Sequence, residues 1–243
     1  DLSLYENTNM GNSVAYAASK GGIIQLTKWL STVLAPEIRV NCISPGGIFR
    51  NQPKSFVEIG SRDGHDTNYI SQYWSLDSKN CYIIEAHPYC CSFIAHHYPQ
   101  FNLLNIAASN KTEVIKFNAG IIGQEENIGV SSVLNRTLSE FISEQVEVDG
   151  WRMEEVMNHF NISNFDFMKI DVEGLGLQVL EGFGEKIKDT KYIQIELEVT
   201  QVWENQSYYE DVVNYLNTKG FIVLDEVDLD GIQKDVIFKN INL

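Results

Sequence analysis

Short apolar runs alternate with stretches in which apolar residues recur every three or four positions. Runs at 56–59, 81–84, 101–108, 165–171 and 192–198 are the length of buried strands. Helical spacing marks 67–74, 88–97, 175–183 and 208–218 between or after them. Two further runs, 221–224 and 235–238, close the chain as an antiparallel hairpin. This alternation predicts an α/β fold, a mostly parallel sheet with helices on both faces. The stretch 110–164 is longer than a plain crossover needs. It holds a strand candidate at 114–117, a glycine-punctuated section from Gly120 to Gly129, and a helix at 152–160, and is expected to form a lid.

Two points in this pattern carry chemistry. The strand 56–59 runs into Gly60-Ser61-Arg62-Asp63-Gly64 and then a helix, an order that lets backbone approach a nucleotide-like ligand. The next strand ends in Glu85, whose paired acceptor oxygens suit the vicinal hydroxyls of a ribose. Lys169 lies inside an apolar strand and therefore needs a carboxylate partner, Glu58 or Glu196. Trp203, Tyr208 and Tyr209 suit core packing better than an acceptor-binding wall.

Charge divides the chain. Residues 1–54 hold five basic against three acidic residues, and 55–243 hold thirteen against thirty, within 243 residues of net charge −15. So acidic a protein is a poor partner for nucleic acid or anionic membranes, and neither is expected. The apolar runs are too short to span a bilayer and no leader opens the sequence, so a cytoplasmic location is expected. Cys42, Cys81, Cys90 and Cys91 form no C-x-x-C pair and the five histidines no H-x-x-x-H pair, so no metal is expected.

The amino-terminal piece has a helical pattern over 16–36, a strand candidate at 38–43 and a turn at Ser44-Pro45-Gly46-Gly47. Tyr16-Ala17-Ala18-Ser19-Lys20 and Arg39-Val40-Asn41-Cys42-Ile43-Ser44-Pro45-Gly46 resemble the short-chain dehydrogenase/reductase family. The resemblance implies a proton-transferring tyrosine whose pKa the lysine lowers. It covers only 1–54, without the first strands and phosphate loop, so the segment is expected to be a carboxy-terminal reductase fragment and Tyr16 and Lys20 vestigial. Ser3, thirteen residues before Tyr16, is expected to be a loop serine.

From residue 55 to the end the chain resembles the FkbM family of S-adenosylmethionine-dependent methyltransferases. The matching stretches are Val57-Glu58-Ile59-Gly60-Ser61-Arg62-Asp63-Gly64, Glu85-Ala86-His87-Pro88, Lys169-Ile170-Asp171-Val172-Glu173-Gly174 and Val179-Leu180-Glu181-Gly182, with Gly129-Val130-Ser131-Ser132 and Arg152-Met153-Glu154-Glu155-Val156 resembling the family's middle region. Glu58 stands where the family more often has Asp, Ala86 in place of its first Pro, and Gly176 in place of a helix Glu. The resemblance implies a Rossmann-like class I sheet over 55–243 and S-adenosyl-L-methionine as cofactor. It further implies a hydroxyl acceptor on a sugar, glycan or secondary metabolite. Glu58, Gly60, Ser61, Asp63, Gly64, Glu85, Ala86, Ala107 and Asp171 are the expected cofactor contacts. Asp171, Glu173 and Glu196, at carboxyl ends of strands, are the expected catalytic carboxylates, with Glu198 beside them. The rival readings are an NAD(P)-dependent oxidoreductase using Tyr16 and Lys20, and a cofactor-binding module without turnover. The acceptor and the oligomeric state are not legible in the residues.

Overall fold

The computed structural model describes residues 53–121, 128–137 and 143–243. The reductase-like helix and strand, with Ser3, Tyr16 and Lys20, lie outside them.

Among the described residues, seven strands form one sheet in the order β3-β2-β1-β7-β8-β10-β9. These are β1 (Phe56–Ile59), β2 (Cys81–Glu85), β3 (Asn102–Asn105), β7 (Phe167–Ile170), β8 (Tyr192–Glu198), β9 (Phe221–Asp228) and β10 (Gln233–Asn240). The first five pair in parallel. β10 runs antiparallel between β8 and β9, so the closing hairpin enters the sheet with its second strand inside. α1 (His65–Tyr73) follows β1 and α2 (Pro88–His97) follows β2. α3 (Met153–His159) precedes β7, α4 (Gly176–Gly182) follows it, and α5 (Tyr209–Thr218) follows β8.

One face of the sheet supplies the main core. Val57, Ile59, Met168, Ile170, Ile193 and Ile195 alternate inward on β1, β7 and β8 and meet Met153, Val156, Val179, Leu180, Val212 and Leu216 from the helices. α4 lies so close to the backbone that a Cβ on Gly182 would come within 2.1 Å of the Ser109 carbonyl oxygen.

The apolar run at 101–108 is not one strand. It breaks at Ile106 into β3, in the main sheet, and β4 (Ala107–Ser109), in a second sheet ordered β4-β6-β5. Its partners β5 (Glu113–Gly120) and β6 (Ser143–Arg152) occupy the stretch expected to be a lid. β6 hides from the run pattern because the exposed Glu147 and Asp149 alternate with Val146, Val148 and Gly150, and only one face of the strand is buried, against Phe117, Ala119 and Ala107.

The central strands β1 and β7 are neighbours in space, although β2, β3 and the second sheet separate them in sequence. From β1 the chain steps outward on one side, and from β7 on the other. Their carboxyl ends therefore border the crevice where open α/β sheets take ligands.

Gly182→Ala is expected to lower unfolding free energy by about 2 kcal/mol or more, since neither the β4 backbone nor the helix can yield without repacking. Urea unfolding followed by far-UV circular dichroism measures it, and a change within experimental error would mean that the contact relaxes freely.

Candidate active site

The glycine turn is built directly on the end of β7. The Gly60 amide donates to the Ile84 carbonyl at 2.9 Å and the Asp171 amide to the Ile59 carbonyl at 2.8 Å, which extends the ladder past the strand ends. Gly60 has φ +79°, and a Cβ there would stand 1.9 Å from the Asp171 carbonyl oxygen, so only glycine fits. Two residues on, Arg62 also has positive φ, 59°. That twist aims its amide at Glu85 Oε2, 2.7 Å away, while the His87 amide donates to Oε1 at 2.7 Å. Burial raises the Glu85 carboxyl above its usual range against the opposing pull of these amides. Each oxygen keeps a second acceptor site, so the carboxylate can still take a pair of hydroxyl donors.

Glu85 opens into a cleft of about 650 Å³, open solvent at its mouth included. Ile59, Ile84, Ala86, Ile106, Ala107 and Phe117 give one end an apolar wall. The second sheet closes over it: His87 Nε2 bonds the Gly120 carbonyl at 3.0 Å, and Ile128, Gly129, Ser131 and Ser132 line the cleft. The Ser132 hydroxyl donates to the Glu173 carbonyl at 2.7 Å, which joins that wall to the end of β7.

The other end of the cleft is acidic, lined by Asp171 and Glu173. Trp203 Nε1 donates to Glu173 Oε2 at 3.2 Å, and the Gly174 amide donates to Glu198 Oε1 at 2.7 Å. Burial first, then Asp171 and Glu198, push Glu173 up to about 8 against the opposing pull of Arg136. Burial and the charges of Asp171, Glu173, Asp235 and Glu198 push Glu196 up to about 9, and burial pushes Glu198 up to about 7.

Behind the turn lies a second set of charges. Lys169 Nζ is 2.6 Å from Asp66, 3.4 Å from Asp171 and 3.6 Å from Glu58. Burial works against its charge, but Asp171, Glu58 and Asp66 outweigh it and hold the ammonium well above its usual range. Glu58 is fully buried and accepts from the Ser61 hydroxyl and from the amide and hydroxyl of Thr67. Burial pushes its carboxyl up to about 7 against the opposing pull of Lys169.

Residues 58–223 match the model of the methyltransferase FkbM domain. The chain belongs to the FkbM methyltransferase family. The crystal structure of methyltransferase FkbM from Methylobacillus flagellatus KT aligns with TM-score 0.51 at 12% identity. The alignment covers 79% of this chain and 45% of that one, a likeness of fold. Residues 2–62 match a second model, that of enoyl-(acyl carrier protein) reductase. The post-translational flagellin modification protein A of Campylobacter coli is 46% identical over 55 residues, 22% of this chain and 22% of that protein. The short-chain dehydrogenase/reductase homologue YusR of Bacillus subtilis is 49% identical over 41 residues, 17% of this chain and 32% of that protein. The chain thus spans less than a third of either curated relative.

The cofactor of the family is S-adenosyl-L-methionine, and the residues of the cleft fit it. Glu85 suits the ribose diol, the apolar wall suits the adenine, and the glycine turn leaves the backbone bare between them and the end of β7. The acidic end suits a sulfonium cation.

Of the FkbM residues expected at the site, the fold brings Gly60, Glu85, Ala86, Ala107, Asp171 and Glu173 to one cleft. Glu58, Ser61, Asp63, Gly64 and Glu196 do not line it. Glu58 and Ser61 brace the turn from below, and the Ser61 hydroxyl accepts from the Gly64 amide at 3.0 Å. Asp63 pairs with His65 at 3.1 Å, and Gly64 caps α1. Glu196 lies on β8 opposite Asp235 of β10. Lys169 pairs with Glu58 as expected, and with Asp66 and Asp171 in place of Glu196. Trp203 is fully buried, yet its ring nitrogen reaches the cleft carboxylate Glu173. Arg62, Ser131, Ser132 and Val172 also line the cleft; Arg62 sat inside the quoted motif, and the serines came from the stretch read as a lid.

A carboxyl whose pKa is raised on folding binds more protons folded than unfolded, so stability falls as pH climbs from its unfolded value to its folded one. For Glu198, Glu173 and Glu196 that window runs from the ordinary carboxyl range to about 7, 8 and 9. The ligand-free protein is expected to lose stability steadily from about pH 5 to pH 9, and Glu196→Gln to flatten the upper part of that slope. Denaturant midpoints across this range measure it; a midpoint that rises with pH would show the cluster to be ionised and stabilised.

Proposed function

We propose that residues 55–243 form an O-methyltransferase domain acting on a hydroxyl of a sugar, glycan or secondary metabolite. Residues 1–54 are a reductase-derived segment joined to it. One observation carries the reading: Glu85 and the pair Asp171 and Glu173 line a single cleft. They stand on β2 and just past β7, with β1 between, so two strand spacings of about 4.8 Å separate their strands.

The bound cofactor supplies a methyl group on a positively charged sulfur, open to displacement by an oxygen nucleophile. The chain's own part is positioning and proton removal. Glu85 holds the ribose end and so fixes the reach of the cofactor along the strand ends. Ser131, Ser132 and the β5 side of the second sheet narrow the cleft above and exclude water. Glu173, at the acidic end, is the base that takes the acceptor's hydroxyl proton, with Asp171 keeping the local field negative. Asp171 is the weaker choice as base because its carboxylate is already engaged by the Lys169 ammonium at 3.4 Å.

A hydroxyl acceptor on a carbohydrate draws support from the reductase-like segment, whose relative in Campylobacter coli is named for flagellin modification. The free thiols of Cys81, Cys90 and Cys91 suit a reducing cytoplasm.

Calorimetric titration with S-adenosyl-L-methionine is expected to show one site, which Glu85→Ala weakens tenfold or more through loss of paired ribose bonds. No heat of binding would overturn the reading; unchanged affinity in the variant would move the ribose elsewhere. Transfer of label from methyl-labelled donor to a panel of sugar and nucleotide-sugar hydroxyls tests the acceptor class. Deleting residues 1–50 is expected to leave donor affinity within about twofold, and loss of folding would make the segment part of the domain's core.

A further inference from the structure

The acidic end of the cleft raises a question of charge that the fold alone does not answer. Asp171 and Glu173 line the cleft itself. Glu198 and Glu196 on β8 and Asp235 on β10 crowd further titratable carboxyls around them. The cations near them are Lys169, engaged with Asp171, Asp66 and Glu58, and Arg136, whose guanidinium lies 5.7 Å over the Trp203 ring. Among the described residues no group of His, Cys, Asp and Glu is spaced to hold a metal ion.

The carboxylates differ in how well their charge is met. Both Glu85 oxygens take a backbone amide, Asp171 has the Lys169 ammonium, and Glu198 takes the Gly174 amide. Glu173 takes one neutral donor, Trp203 Nε1, on one oxygen, and no cation among the described residues comes within 4 Å of it. A largely desolvated carboxyl beside other carboxylates, with Arg136 acting on it only from a distance and no cation paired to it, holds its proton. The cofactor brings a cation to this place as a sulfonium, and methyl transfer removes it by turning the sulfonium into a neutral thioether.

Resting on the methyltransferase reading above, we propose that Glu173 exchanges its proton for the charge of the methyl donor. In the free protein Glu173 is protonated. Entry of the sulfonium drives that proton into solvent and leaves the carboxylate ready as base. In the transfer step the acceptor oxygen forms its bond to the methyl carbon, and the carbon–sulfur bond breaks with its electron pair going to sulfur. The acceptor's hydroxyl proton passes to Glu173. The product thioether then faces a neutral carboxyl, which lacks the attraction that held the sulfonium, so the arrangement favours donor over product. Burial and the charges of Asp171 and Glu198, which push Glu173 up to about 8, are consistent with protonation at neutral pH. Trp203 keeps the carboxyl in place through both states, as its donor serves an ionised or a protonated partner alike.

The test counts protons. S-adenosyl-L-methionine and S-adenosyl-L-homocysteine are titrated calorimetrically into the full chain at pH 7, in phosphate and in Tris, whose ionisation enthalpies differ. About one proton is expected to leave per donor bound, and close to none per thioether product. In E173Q the donor should still bind, with its proton release reduced to the product's level. This variant also separates Glu173 from the amino group of the ligand, which titrates in both proteins. Below pH 8, donor affinity for the wild-type chain should rise up to about tenfold per pH unit and then level off, without a matching rise for the product. Equal proton counts for donor and product overturn the proposal, as does release that persists in E173Q. If E173Q does not fold, the wild-type counts and the pH dependence decide alone. Failure of the donor to bind at all would overturn the methyltransferase reading and this inference with it.

Discussion

The ammonium of Lys169 is the joint on which the site hangs. It leaves the middle of an apolar strand and is almost wholly buried, so it needs anionic partners close by. They come from three directions: Glu58 on the adjoining strand, Asp66 in the first turn of α1 and Asp171 just past the end of β7. These three elements hold the glycine turn from below, from its exit and from its neighbour. Lys169 does not itself line the cleft, yet through Asp171 and the base of the glycine turn it braces residues that do.

Glu58 extends that constraint into the turn. Its second oxygen accepts from Ser61 and from Thr67, so the residues that enter and leave the turn share one buried acceptor. The position more often carries aspartate in the family this chain resembles. A glutamate there still meets the need, because the task is to gather donors under the loop, and a longer side chain reaches both the turn and the helix. The bracing has a visible result on the far side: Gly60 is pressed onto the Asp171 carbonyl and Arg62 is twisted into positive φ, which sends its amide to Glu85. The Glu85 carboxylate is thus aimed by a chain of contacts that begins at a lysine two strands away.

Much of this was legible in the residues, for physical reasons that also set the limits. Fully buried strands such as β1 and β7 have no polar face to confuse the pattern, and a lysine within one announces a buried partner. The run 101–108 misled because its two halves are equally apolar, and only the bend at Ile106 sends them into different sheets. β6 escaped because only one face of it is buried, so Val146 and Val148 stand among exposed Glu and Asp side chains. Glu58, Ser61 and Gly64 were read as ligand contacts because a motif records which residues a loop requires without distinguishing those that face the ligand from those that hold the loop. Ser131 and Ser132 lie in a stretch that resembles the family's middle region, but the residues alone do not say where that stretch folds: they reach the cleft through their pairing with β5 and a bond to the backbone of Glu173.

The acidic balance of residues 55–243 also takes on a different meaning once it is placed on the fold. Acidic side chains scattered over a surface cost little, because water screens them. Glu173, Glu196 and Glu198 instead gather, half-buried or buried, at the strand ends beside Asp171, where their mutual repulsion and lost hydration oppose the folded state. A fold under pressure only for stability would place apolar or neutral residues there. Retaining carboxylates at the one point where β1 and β7 diverge makes sense if a cation visits the cleft and offsets that repulsion while bound. The local cost then becomes the source of selectivity, since a ligand that has lost its charge no longer relieves it.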